Sequence, residues 1–406
     1  MISEKAPRIA LLTNDSPPVI GGITNYLAGL VRSTNQAVQW KIWSTVPSAD
    51  GEAWGAAVER VETRRLPGSY PGDSLMPIRK FNTLHWRWAK RKKANALISS
   101  IRKNFDPHLV LIARWCEEGH HWCHACRSEG LPYAVIGHGL EFEESHPRFP
   151  WDIRGGLRAD LKEAGRCFAN SRSTREVMAS SGAEDERLSI LYPGLFPDDF
   201  KSPADNAPTA RTASLKAAKF VVSIGRLVYR KGFDVAIKAM EQVAEELPEM
   251  RLVIAGDGPE RGKLESLAVA SPFGDRMEIL GEVSEEEKSW LLSNCALFLM
   301  PNRPVPGDVE GFGIVFLEAA WFKKPAISGN CGGVVEAVEH GVSGLCVDAT
   351  DVDSVADGLR GLLSDPAESR RMGERARARL EKEFLWPVIG PRFIQETASC
   401  ISSVTT

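Results

Sequence analysis

Short apolar runs alternate with amphipathic helical stretches from one end of the chain to the other, and this alternation constrains the fold more than any other feature. Such a pattern is typical of parallel sheets covered by helices. The apolar runs predict strands at Arg8–Thr13, Leu109–Ala113, Tyr133–Ile136, Arg166–Ala169 and Leu188–Leu191, and again at Phe220–Ile224, Arg251–Ala255, Met277–Leu280, Ala296–Met300, Pro325–Ser328 and Gly344–Val347. The sequence therefore predicts an α/β protein.

A polar segment rich in Pro, Ala, Thr, Asp and Asn separates the two series of strands and indicates a linker at residues 201–217. The chain has 406 residues, which is also too long for one ordinary core. We therefore expect an N-terminal domain at 1–200 and a C-terminal domain at 218–385. Each is predicted to be a doubly wound sheet, and the two are expected to face each other across a cleft.

The composition is that of a globular protein, with 43% hydrophobic and 25% charged residues. A net charge of -3 argues against nucleic acid as a partner. The N-terminal residues lack the apolar core of a signal peptide, and no run reaches the roughly 18 apolar residues of a spanning helix. We expect a cytoplasmic protein whose eight scattered cysteines are reduced, and peripheral attachment at the inner membrane surface stays open.

Two glycine-containing turns in the second half follow predicted strands and precede predicted helices. The first reads GRLVYRKG, and its Arg226 and Lys231 could neutralise a diphosphate without a metal. The alternative is a solvated basic turn, since charge runs usually lie on the surface. The second turn reads AGDGPE at 255–260. It either passes under a ligand or serves only as a structural turn.

The stretch EGFGIVFLE places Glu310 and Glu318 eight positions apart around the start of an apolar helix. Glycines before a helix let the backbone approach a ligand closely, and the helix N-terminus then offers free N–H groups to an anion. Glu310 belongs to the loop before this anion site, and Glu318 lies about one turn inside the helix. A ligand with a diphosphate in the middle and hydroxyls at both ends, such as a nucleotide sugar, matches this layout.

The ordered set GRLVYRKG, AGDGPE, ILGEVS, EGFGIVFLEA and GGVVEAVEHGVSG resembles the retaining glycosyltransferases of family 4 across nearly the whole second half. The resemblance implies the GT-B fold, with two Rossmann-like domains. It also implies that Arg226 and Lys231 bind the donor diphosphate, that Glu310 contacts the transferred sugar and that Glu318 holds the ribose. Further donor contacts are implied at Val283 and at the backbone of Gly311, Phe312, Gly313 and Ile314.

The first half offers three candidates of its own. Gly21 and Gly22 open the first helix without forming the G-x-G-x-x-G fingerprint, which counts against a dehydrogenase. They either approach the donor phosphates closely or form an ordinary helix start. His138 follows a predicted strand and matches the family's histidine beside the donor sugar. Gly139 stands where the family often has an acidic residue, so the resemblance assigns no carboxylate there.

A group of cysteines and histidines is a candidate zinc site, and its members are Cys116, His120, His121, Cys123, His124 and Cys126. The pair Cys123-x2-Cys126 has the spacing of zinc ligands, but no second spaced pair completes a tetrahedral set. We therefore predict no metal site, and no cofactor apart from the donor substrate.

The segment 79–103 is basic, carries two tryptophans and contains no acidic residue. A basic helix with tryptophan can lie on anionic lipid. A solvated helix face is the alternative. Peripheral membrane contact stays open beside the solvated face, because relatives in the family often use lipid-linked acceptors.

Together these features predict a retaining, metal-independent hexosyltransferase. It would move a hexose from a UDP-glucose-type or GDP-mannose-type donor to a hydroxyl of a sugar, a glycolipid or a small molecule. Arg226 and Lys231 would stabilise the departing diphosphate, while Glu310 and His138 orient the sugar. A C-terminal helix at 386–406 would pack back on the first domain. The alternatives are a nucleotide-sugar epimerase or sugar phosphorylase of the same fold, and a noncatalytic carbohydrate- or lipid-binding protein.

Overall fold

A computed structural model of the chain describes residues 6–17, 21–44, 54, 57–60, 79–113, 115, 118–139, 153–200, 208–306 and 308–402. The chain divides into two compact units. The first unit comprises Met1–Tyr192 and Ile389–Thr406, and the second comprises Pro193–Val388.

The first unit contains a parallel sheet of seven strands in the described part of the chain, in the order β3-β2-β1-β4-β5-β6-β7. The strands are β1 (Arg8–Thr13), β2 (Gln39–Ser44), β3 (Ala57–Arg60), β4 (Leu109–Ile112), β5 (Tyr133–Gly137), β6 (Arg166–Ala169) and β7 (Leu188–Ile190). Strands β1, β4, β5 and β6 consist mostly of buried apolar residues, which explains why they read as continuous apolar runs. The sequence did not predict β2 and β3.

The helices of the first unit connect these parallel strands. They are α1 (Gly22–Thr34), α2 (Arg79–Asn104), α3 (Glu118–Glu129), α4 (Ile153–Glu163) and α5 (Arg172–Ser180). Ser171 caps α5, because its hydroxyl accepts a hydrogen bond of 3.0 Å from the amide of Thr174. No helix among the described residues is both long enough and apolar enough to cross a membrane.

The second unit holds a parallel sheet of six described strands in the order β10-β9-β8-β11-β12-β13. They are β8 (Lys219–Ile224), β9 (Met250–Ala255), β10 (Met277–Gly281), β11 (Phe298–Met300), β12 (Ala326–Gly329) and β13 (Gly344–Val347). The strand order reverses between β8 and β11. This is the point where doubly wound sheets bind ligands.

The helices of the second unit are α6 (Phe233–Val243), α7 (Arg261–Ala270), α8 (Glu285–Asn294), α9 (Ile314–Trp321), α10 (Val334–Ala337), α11 (Val352–Ser364) and α12 (Pro366–Glu383). A last helix, α13 (Trp386–Ser402), begins in the second unit and continues in the first. Within the first unit, Phe393 of α13 lies against Phe168 of β6, with ring centroids 5.3 Å apart.

The described part of the predicted linker, residues 208–217, belongs to the second unit. Thr212 and Leu215 are buried, and Arg211 Nη1 lies 3.2 Å from Glu287 Oε2 in α8. Residues 201–207 lie outside the described part of the chain. The domain boundaries inferred from the sequence stay a prediction.

Candidate active site

Two loops meet at the carboxyl edge of the second sheet, because β8 and β11 are neighbours and run parallel. The first loop follows β8 and ends at Gly232, which begins α6 with a φ of +74°. A Cβ at Gly232 would overlap the carbonyl oxygen of Pro301, the residue after β11. Only glycine therefore permits this close approach, which fixes the β8 loop against the β11 loop.

An ion pair between Lys231 and Glu310 also joins the two loops. Lys231 Nζ lies 2.6 Å from Glu310 Oε2. The same oxygen accepts hydrogen bonds from Arg230 Nη1 and from Asn302 Nδ2, the latter at 3.2 Å. Arg230 also binds Asp308, with 2.8 Å between Nε and Oδ1. Glu310 Oε1 receives no donor from the described residues, so it remains an acceptor for a ligand.

The charge of Glu310 is set by two opposing effects. Burial alone would raise the pKa of Glu310, but Lys231 and Arg230 outweigh burial and bring the pKa below its ordinary value. Glu310 is therefore a carboxylate at neutral pH. Its side chain is only 12% exposed, so the surrounding low dielectric strengthens its interactions with charged and polar groups.

The start of α9 supplies the glycines of the predicted donor site. Gly313 has a φ of +87° and precedes Ile314, the first residue of α9. On the other side, the backbone amide of Gly333 donates a hydrogen bond of 3.0 Å to the carbonyl of Glu310. The turn after β12 thus supports the loop that carries Glu310. Phe312 is buried and packs against Phe384, so only its backbone suits the predicted donor contact.

Glu318 lies within α9 and is held by a residue that the sequence did not single out. Lys288 of α8 reaches it, with 2.9 Å between Nζ and Oε1, and also binds Glu285 at 2.7 Å. Burial would lower the pKa of Lys288, but the two carboxylates raise it above its ordinary value. Lys288 is therefore a stable cation that orients Glu318.

The remaining donor candidates of the second unit lie on the same sheet edge. Arg226 is exposed and forms no ion pair with any residue that the structure describes. Val283 is half-buried in the loop between β10 and α8. Gly311 and Ile314 are half-buried beside Glu310 and at the start of α9. The edge thus carries every donor residue that the sequence placed in the second half.

The first unit positions His138 at the end of β5. His138 Nε2 lies 3.0 Å from the carbonyl oxygen of Ala113, which follows the neighbouring strand β4. The imidazole also meets the ring of Tyr26 edge-on, with centroids 5.4 Å apart. Gly21 and Gly22 begin α1, and no described atom lies within 4 Å of the position that a Cβ would take at either glycine. Both glycines therefore border open space.

The cysteine and histidine group has a different arrangement from a zinc site. His120 Nδ1 and Arg127 Nη1 each lie 2.5 Å from an oxygen of the fully buried Asp160. Cys123 and Cys126 are buried and free, and burial raises the pKa of both thiols. Within the described ranges, no group of three or more His, Cys, Asp or Glu could hold a metal ion. Cys116 lies outside those ranges.

Comparison with known proteins identifies the class. Residues 209–379 match the family model of the glycosyl transferases group 1. Over 402 residues the chain is 29% identical to a GDP-mannose-dependent alpha-(1-6)-phosphatidylinositol monomannoside mannosyltransferase of Mycobacterium tuberculosis, covering 95% of this chain and 96% of that protein. It is 27% identical over 397 residues to a GDP-mannose-dependent monoacylated alpha-(1-6)-phosphatidylinositol monomannoside mannosyltransferase of Corynebacterium glutamicum. That match covers 94% of this chain and 95% of that protein.

Solved structures show the same fold. The complex of Anabaena Alr3699/HepE with UDP and glucose matches with a TM-score of 0.75 and 18% identity, covering 97% of this chain and 100% of that one. Sucrose-phosphate synthase from Thermosynechococcus elongatus matches with a TM-score of 0.76 and 19% identity, covering 98% and 100%. The fold and the family match define a glycosyltransferase of the GT-B class. The family match places residues 209–379 among the group 1 glycosyl transferases, the retaining family 4.

The comparisons confirm the family, the fold class and the enzyme class predicted from the sequence, including a nucleotide-sugar donor. The individual roles of the site residues stay predictions. Sequence reasoning missed Arg230, Asn302 and Lys288, which the structure brings to the two glutamates. The signal for Arg230 was its place beside Lys231 in the same turn. Lys288 lies in an ordinary charged helix and gave no such signal.

Proposed function

We propose that this glycosyltransferase transfers mannose from GDP-mannose to a hydroxyl of a glycolipid head group, with retention of the anomeric configuration. The donor assignment is supported by the relatives that match nearly the whole chain. Those from Mycobacterium tuberculosis, Corynebacterium glutamicum and Mycolicibacterium smegmatis are all named GDP-mannose-dependent mannosyltransferases. Their names also specify a phosphatidylinositol monomannoside, which is the basis for the acceptor class.

The observation that carries the proposal is the 2.6 Å ion pair between Lys231 and Glu310 at the switch point of the second sheet. A lysine ammonium has three donors, so Lys231 can bind Glu310 and a phosphate oxygen together. Lys231 and the exposed Arg226 then supply two cations for the departing GDP. Charge stabilisation of this kind, aimed at the leaving group, is a large source of rate enhancement in such sites.

The two glutamates serve the two ends of the donor in this proposal. Glu310 Oε1 accepts hydrogen bonds from hydroxyls of the mannose, and Glu318 accepts them from the ribose. The backbone between Gly311 and Ile314 approaches the phosphates at the start of α9, where helix N–H groups favour an anion. The acceptor hydroxyl attacks on the face that the diphosphate leaves, and a phosphate oxygen takes its proton.

The proposal also gives roles to residues of the first unit, taken from the family resemblance. On that resemblance, His138 orients the mannose ring and stabilises the positive charge that develops on it. Its contacts with Ala113 and Tyr26 hold the imidazole in one orientation. Gly21 and Gly22 border open space, which permits the donor phosphates to approach the backbone of α1.

We also propose that α2 contacts an anionic membrane, which would bring the protein to a lipid-linked acceptor. Ala94, Ile98 and Ile101 are buried along one face of α2. The other face exposes basic side chains, and Trp88 is 59% exposed among them. Cations near an anionic surface each contribute about 1 kcal/mol to binding. Residues 88–103 of α2 thus present an exposed tryptophan together with exposed basic side chains.

The proposal is tested by a donor screen with an acceptor in two forms. Purified protein is incubated with GDP-mannose, UDP-glucose or UDP-GlcNAc, and with phosphatidylinositol mannoside in vesicles or a soluble mannoside. We expect mannosyl transfer from GDP-mannose to the lipid, with an α-linked product by NMR. Transfer from a UDP-sugar alone would refute the donor assignment, and activity restricted to the soluble mannoside would refute the lipid acceptor.

Two controls separate the alternative classes. An epimerase would convert the nucleotide sugar in the absence of any acceptor, whereas we expect slow hydrolysis at most. A noncatalytic binding protein would bind neither GDP nor UDP in calorimetry. Turnover without acceptor, or no nucleotide binding at high concentration, would each contradict the proposed function.

The membrane contact has its own experiment. Replacing Arg91, Lys92 and Lys93 with glutamine is expected to weaken sedimentation with vesicles of anionic phospholipid by about a hundredfold, since three contributions of about 1 kcal/mol each are lost. Replacing the three exposed lysines Lys216, Lys238 and Lys382 of the second unit with glutamine controls for the change in net charge. Equal vesicle binding by the two variants would leave α2 as a solvated face.

A further inference from the structure

Arg230 joins the two loops of the donor site and binds two carboxylates at once. Its Nε lies 2.8 Å from Asp308 Oδ1, and its Nη1 donates to Glu310 Oε2. Its backbone carbonyl accepts a hydrogen bond of 2.8 Å from the amide of Arg303 in the β11 loop. The side chain is 18% exposed, so these contacts form in a largely desolvated place. Arg230 is therefore built into the site rather than into the surface.

We propose that Arg230 is a positioning residue for sugar transfer, which together with Asp308 fixes the carboxylate of Glu310 so that Oε1 faces the donor sugar. This inference rests on the proposed function of Glu310. If protein donors bound both oxygens of the Glu310 carboxylate, neither oxygen would be available to a ligand. If they bound neither oxygen, the carboxylate would have no fixed orientation toward a ligand. Here three protein donors share Oε2 and none of the described residues donates to Oε1.

The chemistry of the guanidinium explains why an arginine holds this place. Its nitrogens form a rigid planar fork, so Nε and Nη1 engage two acceptors in a fixed relation. A lysine has one flexible nitrogen and cannot impose the same relation. Asp308 anchors one side of the fork, and the other side then has a single position for Glu310.

Arg230 also affects how Lys231 can act. Two cations, Arg230 and Lys231, face two carboxylates, Asp308 and Glu310. Because Arg230 already compensates the charge of Glu310, Lys231 is not required as the sole counterion of Glu310. Its remaining donors are available to a phosphate.

The test compares Arg230→Gln with Arg360→Gln in the full-length protein. Arg360 also bridges two carboxylates, Glu246 at 2.9 Å and Asp357 at 2.8 Å, but it lies on an exposed helix. We expect Arg230→Gln to lower kcat/KM for GDP-mannose by about a hundredfold, mostly through kcat, as for other losses of positioning. GDP lacks the sugar, so its Kd should change by no more than about threefold. Arg360→Gln should match the wild type in both measurements.

Two further readouts distinguish positioning from a merely structural role. Arg230→Lys should recover only part of the activity, because it restores the charge without the fork. In Arg230→Gln the acidic limb of the pH profile of kcat/KM should move to higher pH, because one cation that lowers the pKa of Glu310 is gone.

Several outcomes would overturn the inference. Arg230→Gln with the kcat/KM of Arg360→Gln would do so, as would equal losses of affinity for GDP and GDP-mannose. If Arg230→Gln does not fold, Asp308→Asn replaces it, since Asp308 is 42% exposed and anchors the same fork. A wild-type protein that transfers no sugar would instead refute the proposed function, and this inference with it.

Discussion

Replacing Lys231 with methionine removes one positive charge from the donor site and keeps most of the volume of the stem. Lys231 is 8% exposed, and its Nζ lies 2.6 Å from Glu310 Oε2. At an effective dielectric constant of about 20, two unit charges at this distance attract each other by roughly 6 kcal/mol. The cost of taking both charges out of water offsets most of this attraction.

The net effect on stability follows from what remains bound to Glu310. Breaking a buried pair costs about 3–5 kcal/mol when the other charge is left without a partner. Glu310 keeps Arg230 and Asn302, so we expect a smaller loss of about 2 kcal/mol. For a unit of this size, a loss of 2 kcal/mol lowers Tm by about 4–8 °C. The variant therefore remains folded at 25 °C.

The effect on catalysis is expected to be larger. If Lys231 stabilises the departing diphosphate, its removal eliminates a fixed donor at the place where negative charge develops. Such a loss lowers kcat by about 10²- to 10³-fold, or roughly 3–4 kcal/mol in activation free energy. Initial rates of mannosyl transfer at saturating acceptor measure the rate, and calorimetric melting measures the stability.

The matched control removes a charge from an exposed ion pair. Arg360→Met breaks the surface contacts with Glu246 and Asp357, which are expected to contribute less than about 1 kcal/mol and nothing to the rate. If kcat of Lys231→Met stays within threefold of this control, Lys231 does not stabilise the diphosphate. A rate loss that tracks the fraction of unfolded protein would refute the reasoning equally.

Three other predictions concern the frame of the site. Gly232→Ala is expected to lower the free energy of unfolding by about 3 kcal/mol in urea denaturation, because of its φ of +74° and the overlap of a Cβ with the next loop. Gly21→Ala, which meets open space, should be nearly neutral in the same assay. Lys288→Met is expected to raise the Kd for GDP about tenfold in calorimetry, because Glu318 loses the charged donor that orients it. Because the folded pKa of Glu310 is lowered, its contribution to stability is present above the unfolded pKa and disappears as pH falls through the folded pKa. The urea midpoints of wild type and Glu310→Gln should therefore converge in acid, and a constant gap would contradict the assignment.

The strands of the second unit could be predicted closely from the sequence. The bounds of β13 are those inferred from the apolar run, and β9 begins one residue before the predicted start. Buried parallel strands are apolar on both faces, so each one reads as a continuous run. These strands could therefore be located from the sequence without knowing how they pack.

The missed strands of the first unit have a different pattern. In β2, Gln39 is exposed and Lys41 is half-buried, so polar residues interrupt the apolar run. β3 is the edge strand of the sheet and has only four residues, AVER. Short strands with charged residues resemble loops in sequence, because their pairing comes from the neighbouring strand rather than from their own composition.

The residues of the site also differ in whether nearby sequence or only the three-dimensional packing reveals them. Glu310 and Glu318 could be found because their spacing around a helix start is local. Arg230 contacts Glu310 across 80 positions and Lys288 contacts Glu318 across 30, so these contacts depend on how two loops or two helices pack. Nothing in the charged helix around Lys288 distinguishes it from a solvated surface.

The shared oxygen of Glu310 links ligand binding to the charge balance of the site. Two cations at the end of β8 would repel each other and keep a costly hydration shell if no anion were near. Glu310 compensates the positive charges of Lys231 and Arg230 before any ligand binds. Its Oε1 and the remaining N–H donors of Lys231 stay available to a ligand. In the proposed mechanism, a diphosphate that binds Lys231 would meet an ammonium that has already lost most of its water. The proposed site would then be preorganised for the negative charge that develops on the leaving group, with the carboxylate of Glu310 held away from that group. Holding the carboxylate in place is the task that the geometry of Arg230 and Asp308 fits.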